Sequence, residues 1–78
     1  MQNRIKIGQT YQHFKGGKYV VLDIVQYTED DGEKIVIYQG LYAPFQKWAR
    51  PLSMFESEVD HEKYPDIEQK YRFEEIEL

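Results

Sequence analysis

The chain has no cysteine, only two histidines, one tryptophan and three prolines, and no apolar run of membrane-spanning length. Each shortage excludes something. Without cysteine there is no disulfide to staple a 78-residue domain and no thiolate to hold zinc or attack a substrate. The same absence fits a reducing compartment. No segment reaches the roughly 20 apolar residues of a spanning helix. Residues Met1 to Ile7 run into Gly8-Gln9-Thr10 rather than into the apolar core of a signal peptide. A soluble, cytoplasmic protein without membrane association is expected. Hydroxyl nucleophiles are scarce too: Ser53 has a ready role as a helix cap, and no Gly-x-Ser-x-Gly elbow surrounds it.

What is abundant is aromatic. Seven Tyr, four Phe and one Trp in a chain that is 41% hydrophobic allow a small core to be filled by a few large side chains. The length fits one domain over residues 1–78, divided into a lead-in at 1–9, a β core at 10–59, and an acidic loop with the last strand at 60–78. The net charge of -4 conceals an asymmetry: residues 1–50 carry seven Lys/Arg against five Asp/Glu, whereas residues 51–78 carry three against nine. The acidic second part repels nucleic-acid backbones, so generic phosphate-driven binding of a polymer is not expected.

Period-2 patterning dominates the first fifty residues. Thr10 to Phe14 reads as a short strand, with Tyr11 and His13 on one side, entering a turn at Lys15-Gly16-Gly17-Lys18. Tyr19 to Tyr27 is apolar on both faces, as a central strand should be. Asp31-Gly32 suits a tight hairpin leading to a second long strand at Lys34 to Tyr42, within which Gly40 predicts a bulge or bend. Pro44 closes that strand, and a short strand at Lys47 to Arg50 ends at Pro51. The Ser53-Met54-Phe55-Glu56 spacing predicts a capping box and one helical turn. Asp66 is placed to cap a further turn through Gln69, and Tyr71 to Leu78 reads as the last strand. The fold class is therefore mainly β: a small SH3-like open barrel or strongly curled antiparallel sheet of five to six strands, with one or two short helical turns.

Two polar-aromatic clusters, Tyr11 to Gly17 and Trp48 to Phe55, flank the long strands. From them Tyr11, His13 and Lys15 on one strand, with Trp48, Arg50 and Met54 on or after another, form a candidate ligand-binding surface. If the two strands pair, aromatic planes and cationic donors meet, a combination that stacks a flat ring and forks an anionic group. The plainer reading makes Trp48 and Phe55 plugs for the open end of a small barrel. Asp23, in an otherwise apolar run, needs a partner such as Arg50 or His13 if it is buried, or else twists to the rim. The Asp60-His61-Glu62 triplet lacks the second ligand cluster that a metal requires and reads as solvated surface. Lys15-Gly16-Gly17-Lys18 is a hairpin turn rather than a phosphate loop, because strand leads to strand instead of to helix.

The string Tyr11-x-His13-Phe14-Lys15-Gly16-Gly17-x-Tyr19-x-Val21-Leu22, followed by Val36-x-Tyr38-x-x-Leu41-Tyr42 and Trp48-x-Arg50-Pro51-x-x-Met54-Phe55-x-x-Glu58-Val59, resembles a bacterial and phage family known as domain of unknown function 1653. Arg72-Phe73 resembles the motif that closes its pattern. The resemblance implies kinship without a mechanism, since no activity is attached to the family. Phe14 stands where family members usually have tyrosine, Tyr27-Thr28 where they have a histidine-serine pair, and the Asp60 to Lys70 segment is longer than usual.

The sequence favours a small cytoplasmic binding module for a planar or anionic ligand: a nucleotide, a modified base or a peptide. Tyr11 and Trp48 would stack, Arg50 and Lys15 would hold negative charge, and His13 would give a pH-sensitive hydrogen bond. A protein-interaction adaptor using a sheet edge and the acidic tail is the alternative. A minimal enzyme with His13 and Asp23 as acid and base is a third. No cofactor or metal is expected. The partner is a small ligand or another protein, and the chain itself a monomer or weak homodimer.

Overall fold

A computed structural model describes residues 4–29 and 32–77. Five strands, β1 (Thr10–His13), β2 (Lys18–Gln26), β3 (Lys34–Gly40), β4 (Lys47–Pro51) and β5 (Phe73–Ile76), form one antiparallel sheet in the order β4-β3-β2-β1-β5. One helical turn, α1 (Leu52–Phe55), follows β4 directly. The architecture is mainly β, the sheet does not close on itself, and β2 is its central strand as its two apolar faces predict. No helix among the described residues is long and apolar enough to cross a membrane.

Register assigns each side chain to a face. Tyr11 lies opposite Tyr19 and Glu75, His13 opposite Phe73, Val21 opposite Tyr38, Tyr38 opposite Trp48, and Val36 opposite Arg50. Directly paired residues share a face, so Tyr11, His13, Tyr19, Val21, Val36, Tyr38, Trp48, Arg50 and Phe73 all project to one side. That side is concave: the ring of Phe73 on β5 lies 5.7 Å from that of Tyr38 on β3, although β1 and β2 run between them. The strand curl that closes this gap is the right-handed twist expected of a small sheet.

The core fills the concavity. Tyr11, Val21, Val36, Tyr38, Phe55 and Phe73 are buried, and α1 drives Leu52 and Phe55, one turn apart, into the same cluster. Phe55 and Phe73 stack face to face at 3.9 Å, with Tyr11 edge-on to Phe55 at 5.8 Å. Each such ring, fully buried, contributes about 1.5–3 kcal/mol of transfer free energy. Ile5, in the expected lead-in, also belongs to the core.

Several local expectations are corrected. The bulge falls in β2, where the register slips between Val21 and Asp23, and not at Gly40, which ends β3 packed under the rings of Tyr42 and Trp48. A bulge there flips the alternation, setting Ile24 opposite Val36 on the core side and leaving Val25 exposed. The N-cap of α1 is Pro51 without a side-chain bond, so Ser53 sits inside the turn, 3.5 Å from a Glu33 carboxylate oxygen. Asp60, rather than Asp66, caps the acidic loop, its carboxylate accepting from the amides of Glu62 and Lys63. β5 is shorter than Tyr71 to Leu78 because Tyr71 makes only an isolated bridge to Glu58. Leu78 and the Asp31 half of the Asp31-Gly32 turn lie outside the described residues.

Candidate ligand site

The turn after β1 fixes the first element of the site. Gly16, at φ +106, takes the left-handed conformation that a Cβ would oppose. This lets Gly16 N–H bond back to the His13 carbonyl at 2.8 Å, while the His13 amide donates to Gly17 O at 2.7 Å. Within the turn the Lys15 amide donates to His13 Nδ1 at 3.1 Å. With Nδ1 occupied as an acceptor, the neutral imidazole carries its proton on Nε2. The ring packs against Phe14 at 4.5 Å and edge-on to Phe73 at 4.9 Å. Burial, followed by the positive charges of Arg50, Arg72 and Lys15, pushes its pKa down to about 4. Near neutral pH, His13 is therefore an uncharged donor among cations.

Two hollows meet at this histidine. The first, about 240 Å³, is aromatic: Tyr19, Tyr38, Trp48 and Phe73 line it with His13 and Arg50. Tyr19 stands edge-on to Tyr38, Trp48 and Phe73 at 5.5–5.7 Å, and its hydroxyl shares a 2.7 Å hydrogen bond with that of Tyr42. Burial and that bond raise the Tyr19 pKa to about 12, so the phenol stays neutral. The Arg50 guanidinium lies over the Phe73 ring, 5.6 Å from its centroid, and Arg50 lines both this hollow and the next.

The second hollow, about 370 Å³, is cationic. Lys15, Arg50, Lys63 and Arg72 line it with His13, Phe14, Tyr64 and one acid, Asp60. Its outer wall is the 60–72 loop, held by Gln69, whose Nε2 donates to the carbonyls of Gln12 at 3.0 Å and Tyr71 at 2.9 Å. Tyr64 packs on Phe14 at 5.0 Å, and Lys15 and Lys63 lie 5.4 and 5.5 Å from its ring centroid. A hydrogen bond from Lys15 lowers the Tyr64 pKa. Among the described residues, the only ion pair within 4 Å joins Lys6 to Glu75, so none of these four cations is neutralised by a bridging carboxylate. Arg72 Nε is buried without a hydrogen-bond partner.

The sequence-derived residues divide accordingly. His13, Lys15, Trp48 and Arg50 come together, but not by strand pairing: β1 and β4 are separated by β2 and β3, and the curl of the sheet brings them close. Tyr11 is fully buried, its hydroxyl accepting from the Lys6 amide at 2.8 Å, so it is a core residue and offers no stacking face. Met54 is exposed on α1 and lines neither hollow. Asp23 is exposed at the β2 bulge, where its carboxylate accepts from the Ile24 amide at 2.8 Å. It faces away from His13 and Arg50, which removes it as their partner and separates the expected acid/base pair. Tyr19, Tyr38 and Phe73 follow from strand alternation once the register is known. Lys63, Tyr64 and Arg72 depend on the path of an irregular loop.

Residues 9–75 match the family described as protein of unknown function (DUF1653). The chain belongs to that family. The matched span of this DUF1653 chain contains every residue lining both hollows. No curated protein and no solved structure matches the chain.

Proposed function

We propose that this chain is a small cytoplasmic, SH3-like binding module whose ligand joins a planar ring to an anionic group. One observation carries the reading: His13 and Arg50 line both an aromatic hollow and a cationic one. A ligand spanning them places its ring against Trp48 and Tyr19, where an edge or offset stack contributes about 0.5–1.5 kcal/mol beyond burial. Its charge then lies among Lys15, Arg50, Lys63 and Arg72. In a protein of net charge -4, four cations turned to one hollow without bridging carboxylates support an anion as the missing counter-charge.

The test is a titration of isotope-labelled protein with phenyl phosphate, benzoate and uridine monophosphate, following the Trp48 indole and the His13 and Arg50 amides by NMR. Saturable shifts confined to those groups, lost in Arg50→Ala with the fold intact, are expected. Absence of saturable shifts with all three compounds overturns the reading.

A further inference from the structure

We infer that the anionic group is a phosphate monoester, so that the ligand class is a ring-bearing phosphate such as a nucleoside monophosphate. The inference rests on the binding reading above and narrows it. Donor geometry and charge both bear on the choice. The cationic hollow offers two guanidiniums, two ammoniums and the Nε2–H of neutral His13. A carboxylate presents two oxygens and one charge, leaving most of these donors uncompensated. A phosphate monoester carries about -1.5 to -2 near neutral pH and presents three acceptor oxygens. Guanidinium forks match that group bidentately, while lysine ammoniums bind it as point charges. Arg72 lines this hollow with Arg50, so two guanidiniums face the same space.

The neighbouring features exclude the competing chemistries. An aromatic hollow of Tyr19, Tyr38, Trp48 and Phe73 has the composition of a cage for alkylated ammonium groups. Arg50, however, already lies over Phe73 and repels a second cation. A phosphodiester within a polymer keeps only one charge at each phosphate. It would also carry its further phosphates past the 51–78 segment, with nine Asp/Glu against three Lys/Arg. A single terminal phosphate beside one ring meets neither objection.

Calorimetry at pH 7.5 with the intact chain separates the possibilities. The probes are phenyl phosphate, its methyl diester, benzoate, uridine monophosphate and uridine. Monoesters are expected to bind about tenfold or more tightly than the diester, benzoate or uridine. The exposed Lys63→Gln variant, which leaves the core untouched, should narrow that preference while retaining ring binding. Equal affinity for monoester, diester and benzoate would overturn the phosphate assignment and leave the ring-plus-anion reading standing. Saturable binding of none of the five compounds would end both.

Discussion

The amide of Lys15 donates to Nδ1 of His13 across a two-residue turn, so the backbone selects the tautomer with its proton on Nε2, in a ring that lines both hollows. In many sites a second side chain does this work. Here the turn does it, and the histidine becomes sensitive to any substitution that reshapes residues 14–17.

Acid should therefore weaken the fold through His13. Its pKa is about 4 in the folded chain against an ordinary 6.5, so between those values the unfolded chain binds the extra proton and stability rises with pH. On acidification that contribution is lost through the same window. Each tenfold difference in proton affinity between the folded and unfolded chains corresponds to about 1.4 kcal/mol. Partial hydration of the ring reduces the expected loss to about 1–2 kcal/mol. Urea unfolding at pH 7 and pH 4 should show a smaller drop for His13→Gln than for the parent chain; parallel drops would show that another group titrates.

Phe55→Ala should cost about 3–5 kcal/mol, because it removes the ring stacked on Phe73 and leaves a hole beneath Tyr11 and Tyr38. In a domain this small the variant should be largely unfolded by circular dichroism at 37 °C. A cooperative transition within about 1 °C of the parent, the size expected of a silent surface change, would contradict the core assignment.

Gly40→Ala should disturb the aromatic hollow from behind. An added Cβ would meet Tyr42 at 3.1–3.2 Å and Trp48 at 3.3 Å, closer than ordinary contact. The rings must shift, at about 1–3 kcal/mol. The Trp48 emission spectrum should change even where the circular dichroism does not. An unchanged spectrum with unchanged stability would mean that the rings move freely.

Asp23→Asn should leave ligand binding unaltered, since the carboxylate sits at the bulge and lines neither hollow. Stability should move by no more than about 0.5 kcal/mol, as for most surface changes. Loss of binding measured by the Trp48 indole shift would restore Asp23 to the site.

Most strands are legible in the sequence because alternation and glycine turns are local signals. Tyr19 to Tyr27 and Lys34 to Tyr42 differ from β2 and β3 by one or two residues at an end. The bulge is not legible: Gly40 has the look of the irregular residue, whereas the slip occurs at Leu22, whose side chain gives no conformational clue. In the site, His13, Lys15, Trp48 and Arg50 can be named from the sequence, since unusual residues at strand ends stand out. Tyr11 cannot be placed that way because face alone does not tell depth: it shares the concave side with His13 but lies over Phe55 rather than at the mouth. Lys63 and Arg72 escape notice because their placement depends on Gln69 bonding to β1, a contact of 57 residues' separation.

Arg4 donates to the carbonyls of Phe73 at 2.6 Å and Glu56 at 3.1 Å and lies 4.2 Å from the Tyr71 ring centroid. With β1 held between β2 and β5, both Arg4 and β1 complete their hydrogen bonding only against residues far along the chain. Such distant pairing raises the contact order above that of the three sequential hairpins alone, which slows folding. During synthesis β1 must wait with one edge unpaired until residues 73–76 leave the ribosome. Throughout that interval the exposed edge of the nascent sheet is open to mispairing with other chains.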